Sequence, residues 1–163
     1  MEQRKPFCRA VVIYAFILAL GTVAQAQYGG GSGTPEAPYL ITTPEQMNAI
    51  GADPNDWDKH FKLMVDLDLS QYTGTQFNLI SSAFRTGRRD TKLEQGFTGI
   101  FDGNAHTISN FTYTAEDEGH IGLFRYIHGP NAEARNLGLI TPRVDAGLGD
   151  GVGALVSYIE YAT

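Results

Sequence analysis

Two aspartates, Asp66 and Asp68, are the residues whose type and spacing come nearest to a reaction site. They are two positions apart in a stretch that alternates apolar and polar residues, so on a β-strand both side chains would lie on one face. Paired carboxylates can hold a cation or act as acid and base on a sugar. A solvated polar face explains the same pattern, and no third ligand lies nearby in the sequence. We therefore favour the solvated face.

Turns rich in aspartate and glycine are the next candidates, because such turns can bind calcium. Asp102-Gly103-Asn104 has this composition, but it is also the ordinary composition of a tight turn. The segment 145–151 is similar in composition to the glycine-rich calcium loops of β-rolls, although its residue order differs and it occurs once. The turn is the better explanation in both cases, and we predict no metal or cofactor site.

Histidines and basic residues give no stronger prediction. Neither a His-x-x-x-His pair nor another close zinc-ligand spacing occurs, which favours surface or turn positions for His60, His106, His120 and His128. A polar loop could contact anionic glycans through Arg85, Arg88, Arg89 and Lys92, but a solvated loop is the simpler explanation. No catalytic residue is predicted.

The start of the chain has the organisation of a secretory signal peptide. Arg4, Lys5 and Arg9 precede the apolar run 10–20, and small residues at 24–26 supply a cleavage site. That run is about half of the roughly 20 residues that span a bilayer, so a retained membrane anchor is the weaker interpretation. Cys8 precedes the run and is badly placed for lipidation. We expect cleavage after Ala26 and a secreted or cell-surface protein.

The chain that follows Ala26 contains no cysteine, so disulfides cannot stabilise it, and one domain is all that its length supports. It holds nine Lys and Arg against 17 Asp and Glu, a formal net charge of −8. This acidity argues against nucleic-acid binding.

Short elements are predicted at the beginning of the mature chain. Residues 27–38 are rich in glycine and proline and read as a linker. A strand is expected at Tyr39–Ile41, followed by a helix from Pro44 to about Ile50 that Thr43 caps and Gly51 ends. Its buried stripe would be Met47 and Ile50. A second cap-then-proline pattern at 53–57 predicts a tight turn.

Strict alternation of apolar and polar residues over 61–69 predicts a half-buried strand. Its inward residues would be Phe61, Leu63, Val65, Leu67 and Leu69. Residues 70–96 are less regular, with a further strand possible at 77–80 and a polar loop that reads as an insertion.

Beyond Gly96 the sequence resembles itself. Gly99-Ile100-Phe101 matches 122–124 at an offset of 23, residues 121–124 match 152–155 at an offset of 31, and 110–113 match 136–139 at an offset of 26. Such spacings are typical of stacked repeats, in which each repeat supplies short strands that pair in parallel with the next repeat.

Stacking would place seven apolar residues in one continuous core: Phe101, Leu123, Phe124, Leu137, Leu139, Val152 and Leu155. The amides of Asn110 and Asn136 would then stack as a short ladder. The predicted fold is therefore all-β, a parallel β-helix (β-solenoid) with a short helical segment leading into it.

Gly122-Leu123-Phe124 and the segment 153–156 resemble the Gly-Leu-hydrophobic-Gly signature of the GLUG-repeat family. Residues 97–108 resemble the coil that often precedes such repeats, and 39–69 look like the usual N-terminal lead-in. The closing glycine of the signature is Arg125 in one copy and Ser157 in the other. The resemblance implies a bacterial surface or secreted protein with a right-handed β-helix, and it implies no catalytic residue.

The predicted organisation is a signal peptide (1–26), a linker (27–38) and a β-solenoid (39–163), divided into an N-terminal lead-in and cap (39–96) and GLUG-like repeats (97–163). Because the last repeat stops shortly after it begins, we expect further repeats beyond residue 163.

The favoured function is a noncatalytic extracellular or cell-surface module for adhesion or surface structure, with an extracellular glycan or surface protein as partner. Two alternatives stay open: a carbohydrate-active β-helix enzyme, either lyase or hydrolase, and the N-terminal part of a larger secreted protein.

Overall fold

The computed structural model describes residues 27–82 and 95–161, and this part of the chain is largely β. It contains the helix α1 (Pro44–Ala52) and a short 3-10 helix (Pro54–Asp56). The strands, in chain order, are β1 (Tyr39–Ile41), β2 (His60–Leu63), β3 (Leu67–Asp68), β4 (Ile100–Asp102), β5 (Thr107–Ser109), β6 (Thr112–Thr114), β7 (Phe124–His128), β8 (Glu133–Arg135), β9 (Gly138–Ile140), β10 (Arg143–Asp145) and β11 (Val156–Glu160). Neither helix in these ranges has the length and apolar character needed to cross a membrane.

These strands form four sheets, and neighbouring strands run parallel in each. The first sheet has the order β1-β2-β4-β8, the second β3-β5-β9, the third β6-β10 and the fourth β7-β11. Residues 100–128 contribute one strand to each of the four sheets in this order, and residues 133–160 do the same. We call each of these stretches a pass. Parallel neighbours cannot be joined by a tight hairpin, so each strand pairs only after the chain has completed a pass.

The register gives the length of a pass. Ile100 pairs with Glu133 at an offset of 33, Ile108 pairs with Leu139 at an offset of 31, and Tyr126 pairs with Tyr158 at an offset of 32. The predicted offset of 31 is confirmed at Ile121, which pairs with Val152, but it does not extend to Phe124, which pairs with Val156 at an offset of 32.

The two other predicted offsets are wrong. Phe101 lies in the first sheet and pairs with Ala134, whereas Phe124 lies in the fourth sheet. The two segments with the motif Gly-apolar-Phe, 99–101 and 122–124, therefore lie in different sheets of one pass and are not equivalent positions of successive passes. Asn110 and Asn136 likewise follow different sheets, so their amides do not stack.

The core is a column of aromatic rings between the sheets. The ring centroids of Phe97 and Phe124 lie 5.1 Å apart, those of Phe101 and Phe124 lie 5.6 Å apart, and Phe61 contacts Phe97 at 6.2 Å. All four side chains are fully buried. Each contributes roughly 2–3 kcal/mol by leaving water, so the column stabilises the packing between the sheets.

The predicted core is confirmed for Phe101, Leu123 and Phe124, which are fully buried. Leu137, Leu139 and Leu155 are half-buried and pack against these residues. Val152 is 49% exposed, so its prediction is wrong. It lies on the outermost described pass, where no further strand covers it within residues 27–82 and 95–161.

The alternating stretch 61–69 is not one strand. β2 ends at Leu63 and β3 begins at Leu67, because the chain turns here from the first sheet to the second. Phe61, Leu63, Leu67 and Leu69 are buried as predicted, but Val65 is 41% exposed at the corner.

The helix α1 confirms the predicted cap and buried stripe. The Thr43 hydroxyl accepts from the N–H of Gln46 at 3.3 Å, and Met47 and Ile50 are fully buried. α1 ends at Ala52, one position beyond the predicted Gly51. Gly51 has another role, since a Cβ there would lie 2.0 Å from the carbonyl oxygen of Asn78. Glycine is required for this close approach.

The predicted linker packs onto the first sheet. The Tyr28 side chain is 6% exposed, its ring lies 4.5 Å from that of Tyr39, and its hydroxyl donates to Asp56 at 2.8 Å. Burial and this carboxylate raise the pKa of the Tyr28 hydroxyl far above its usual value. The N–H of Gly29 donates to the carbonyl of Leu40 at 2.8 Å. The segment therefore covers the outer edge of β1.

Candidate functional site

Asp66 and Asp68 lie on either side of Leu67, and both accept hydrogen bonds from the next pass of the chain. The Asp66 carboxylate accepts from the N–H of Thr107 at 2.8 Å and lies 3.3 Å from the ring nitrogen Nδ1 of His106. The Asp68 carboxylate accepts from the Asn110 amide at 2.9 Å. These bonds give both carboxylates a structural role between passes.

Asp102 lies one pass later, in the first sheet, and it also accepts hydrogen bonds from the pass that follows it. Its Oδ1 accepts from the N–H of Asn104 at 2.8 Å, which closes the tight turn predicted at 102–104. From the next pass, the Asn136 amide donates to the same oxygen at 3.1 Å, and the Arg135 guanidinium donates to Oδ2 at 3.2 Å. We call Asp66, Asp68 and Asp102 the corner carboxylates.

Hydrogen bonding sets the pKa of each corner carboxylate. The N–H of Thr107 lowers the pKa of Asp66, and the amide of Asn110 lowers that of Asp68. Burial raises the pKa of Asp102, but the donors on Asn104, Asn136 and Arg135 together outweigh burial and bring it below its usual value. All three groups are therefore held as carboxylates at neutral pH.

Asn110 and Asn136 each reach back to an aspartate of the preceding pass, Asp68 and Asp102 respectively. The side-chain oxygen Oδ1 of Asn110 also accepts from the Thr141 hydroxyl at 3.0 Å. The contacts that replace the predicted asparagine ladder are thus amide-to-carboxylate bonds.

The other predicted candidates lie apart from one another. The segment 145–151 forms a turn in which Asp145 accepts from the N–H of Gly147 at 3.0 Å. Across residues 27–82 and 95–161, no group of three or more His, Cys, Asp or Glu side chains is arranged to hold a metal ion. The basic loop from Arg85 to Lys92 and the predicted signal peptide lie outside the described residues.

A cluster that the sequence reasoning missed lies on the fourth sheet. The Tyr126 hydroxyl is 2.5 Å from Oε2 of Glu160 and 2.8 Å from Nδ1 of His128. The phenol has one proton, which it donates to the carboxylate, so Nδ1 of His128 is the donor to the phenol oxygen. The three polar groups therefore form one hydrogen-bonded chain.

Aromatic rings extend this cluster. The rings of Tyr126 and Tyr158 lie 5.5 Å apart, and Tyr161 meets the His128 ring at 6.1 Å. Tyr158 is 37% exposed and Tyr161 is 74% exposed, so both rings present area to solvent. We call Tyr126, His128, Tyr158, Glu160 and Tyr161 the aromatic face.

Parallel pairing builds the aromatic face. Tyr126 pairs with Tyr158, and His128 pairs with Glu160, so like positions of two passes stack. On the other side of β7, Gly96 leaves room for these rings, because a Cβ there would lie 2.9 Å from Cδ1 of Tyr126. The absence of a side chain at residue 96 lets Tyr126 pack against the neighbouring segment.

A groove of about 410 Å³ adjoins the aromatic face, with His128 on its wall. Its other lining residues are mostly polar: Pro54, Asn55, Trp57, Asp58, Gln95, Gly96, Thr98. Side-chain amides, a carboxylate and a threonine hydroxyl thus line this groove together with the rings of Trp57 and His128. This combination can contact a ligand that has both apolar faces and many hydroxyl groups.

No family model matches the chain. Halomucin from Haloquadratum walsbyi is 30% identical to it over 121 residues, which are 74% of this chain and 1% of that protein. A Gly-rich membrane protein of Evansella cellulosilytica is 32% identical over 135 residues, 81% of this chain and 14% of that protein. The chain thus spans a small part of these relatives. No solved structure matches it.

Two segments of the sequence could have revealed the aromatic face. Tyr126-Ile127-His128 and Tyr158-Ile159-Glu160 follow the same pattern at an offset of 32. An offset of 31 aligns Gly122 with Gly153, but it places Tyr126 and Tyr158 one position out of register. The two passes therefore differ in length by one position between the glycine and the tyrosine.

Proposed function

We propose that this chain is a noncatalytic extracellular or cell-surface repeat module that contacts glycans through its aromatic face. The observation that carries the proposal is the stacking of Tyr126 on Tyr158 beside the hydrogen-bonded His128 and Glu160. A sugar offers C–H faces that pack on aromatic rings and hydroxyls that bond to carboxylate and imidazole groups. Tyr158 and Tyr161 would supply the exposed rings.

In this proposal the four parallel sheets are the walls of a right-handed β-helix of the GLUG-repeat kind. The two passes through the same four sheets support the β-helix, because a continuous winding brings each strand beside its counterpart one pass later. Parallel strands joined by a crossover in one sheet are right-handed in about 98% of cases, which supports the hand. The aligned glycines Gly122 and Gly153 support the family resemblance.

Placement outside the cytoplasm or at the cell surface rests on two further observations. One is the sequence of the segment 1–26, with basic residues before an apolar run. The other is the names of the relatives, one a halomucin and the other a membrane protein. These names agree with a surface protein, although they do not specify adhesion.

Glycan contact is tested by measuring binding of the purified chain to a panel of neutral and acidic polysaccharides. We expect Tyr158→Ala to weaken binding about tenfold, because it removes an exposed stacking ring. Glu160→Gln should weaken it less, since the amide keeps the shape and one acceptor. Ile140→Ala is the matched control, because Ile140 is exposed on the same pass in another sheet. Equal binding by all four proteins would contradict the proposal, as would no binding to any polysaccharide.

A carbohydrate-active enzyme is the second candidate, and the chain Tyr126–His128–Glu160 is the observation that favours it. A phenol, an imidazole and a carboxylate in contact can move a proton. Glycoside hydrolysis ordinarily uses two carboxylates, whereas the aromatic face holds one. The same panel distinguishes the candidates: release of shorter oligosaccharides by the wild-type chain, lost in Glu160→Gln, would replace the binding module with an enzyme.

A further inference from the structure

A hollow of about 220 Å³ lies where the segment 27–31 meets the 3-10 helix. Gln27 and Tyr28 of the segment line it together with Asp53, which caps the 3-10 helix, and Asp56, which ends it. None of its lining residues in the described part of the chain is basic. The hollow therefore contains negative charge that no lining side chain balances.

Gln27 is held at the hollow by the residues that follow it. The Tyr28 side chain is buried, and its ring lies 4.5 Å from that of Tyr39. The N–H of Gly29 donates to the carbonyl of Leu40 at 2.8 Å. Adjacent Cα atoms are about 3.8 Å apart, so an anchored Tyr28 leaves Gln27 little freedom to move away.

Hydrogen bonds connect Gln27 to Asp56. The Gln27 amide donates to the Tyr28 hydroxyl at 3.2 Å, and this hydroxyl donates to the Asp56 carboxylate at 2.8 Å. Burial raises the pKa of the Tyr28 hydroxyl, and the bond to Asp56 and the negative charges of Asp56 and Asp53 raise it further. Both aspartates therefore act electrostatically on the residue next to Gln27.

Lys59 follows the 3-10 helix but does not neutralise the hollow. Its ammonium pairs with the carboxylate of Asp58 at 2.7 Å, and it is not among the residues that line the hollow. A carboxylate offers about four acceptor positions, so Asp56 can accept further donors besides the Tyr28 hydroxyl. The hollow is therefore suited to one more cationic donor.

Cleavage after Ala26 supplies a cation at this place. Hydrolysis by a signal peptidase adds water across the bond from Ala26 to Gln27, which leaves a carboxylate on Ala26 and an amine on Gln27. An α-amino group is mostly protonated at neutral pH. We propose that the hollow is the seat of this new amino terminus, in which Asp56 and Asp53 hold the ammonium group of Gln27. The seat rests on the proposed export and processing of the chain and is independent of glycan contact.

The ion pair also opposes a reaction of terminal glutamine. An unprotonated amine at Gln27 can attack Cδ of its own side chain, so that a bond from the amine to Cδ forms, the bond from Cδ to Nε2 breaks and ammonia leaves. Nearby carboxylates favour the protonated amine, which cannot attack. The hydrogen bond to the Tyr28 hydroxyl also holds Nε2. We therefore expect the processed chain to keep an uncyclised glutamine.

The test uses the processed chain, recovered outside the cytoplasm after expression of the complete reading frame. Its terminal amine reacts with an acylating reagent at neutral pH, and mass spectrometry of the amino-terminal peptide gives the rate of labelling. The double variant Asp53→Asn with Asp56→Asn removes both charges and keeps an acceptor at each position. Because only the unprotonated amine reacts, this variant should be labelled about threefold faster, as expected for partly exposed ion pairs.

Glu36→Gln is the matched control, since Glu36 is exposed on the same part of the chain and lies outside the hollow. It should be labelled at the wild-type rate. Circular dichroism of each variant checks that the strands are retained. A second measurement needs no variant: about 1 M salt shortens the screening length to roughly 3 Å and should speed labelling of the wild-type chain relative to a free peptide with the same first residues.

Equal labelling rates for wild type and the double variant, or a wild-type rate that salt leaves unchanged, would overturn the seat. A wild-type mass lower by one ammonia would also overturn it, because a cyclised glutamine has no ammonium group. Recovery of a chain that keeps residues 1–26 would instead overturn the seat together with the proposed processing. The mass of the recovered chain therefore distinguishes the two failures.

Discussion

Asp102 connects two successive passes, and its replacement tests whether the corner carboxylates stabilise the fold. Three donors converge on it: the N–H of Asn104 at 2.8 Å, the Asn136 amide at 3.1 Å and the Arg135 guanidinium at 3.2 Å. A hydrogen bond of this kind contributes about 0.5–1.5 kcal/mol net, and partial exposure favours the lower half of that range. Asp102→Ala should therefore lower the free energy of unfolding by about 2 kcal/mol.

The measurement is urea-induced unfolding followed by the fluorescence of Trp57, which is buried in the described structure. Asp102→Asn keeps one acceptor for the Asn104 N–H and should cost about 1 kcal/mol. Asp145→Asn is the matched control, because the bond of Asp145 lies within its own turn, to Gly147. We expect the control to change the free energy of unfolding by less than about 0.5 kcal/mol.

The reasoning also predicts the direction in which the free energy of unfolding changes with pH. The pKa of Asp102 is lower in the folded chain than its ordinary value, which is about 3.9 in an unfolded chain. The contribution of Asp102 to the free energy of unfolding is therefore fully present above the unfolded pKa, and it is lost as the pH falls through the folded pKa. The difference between wild type and Asp102→Asn should shrink below about pH 4. Equal stability of Asp102→Ala and wild type at neutral pH would refute the reasoning.

Two further predictions concern the core and the start of the chain. Phe124→Ala removes a fully buried ring that contacts Phe97 and Phe101, and it should lower the free energy of unfolding by about 3–5 kcal/mol in the same urea assay. A loss below about 1 kcal/mol would show that the column of rings contributes little to the stability of the core. Export should remove the segment 1–26, so the mass of the protein recovered outside the cytoplasm should correspond to a chain that begins at Gln27. Recovery of an uncleaved chain in the membrane fraction would contradict this.

Local signals in the sequence were sufficient for the elements near the start of the domain. Thr43 and Pro44 predicted the start of α1, the spacing of Met47 and Ile50 predicted its buried side, and Tyr39–Ile41 is a strand as predicted. Each of these features depends on close neighbours in the chain. The alternation over 61–69 also identified four buried residues, but it could not reveal the corner that exposes Val65.

Long-range register was harder to predict because similar motifs occur at more than one corner of a pass. A glycine followed by apolar residues precedes both Phe101 in the first sheet and Phe124 in the fourth, so an offset of 23 looked like a repeat. Passes also differ in length, because the offset between the last two is 33 in the first sheet and 31 in the second. The aromatic face depends on this register, since Tyr126 and Glu160 meet only when one pass lies correctly on the next.

Pairing between successive passes also determines the order in which the chain can fold. The shortest step between paired strands joins Tyr39 to Phe61, and the longest joins Leu67 to Ile108. All the other strand pairs described here have sequence separations between these two. A chain that emerges with its N-terminus first can therefore complete each layer on the one already formed, beginning from α1 and β1. Such vectorial assembly lets each layer form without requiring the layers that follow it.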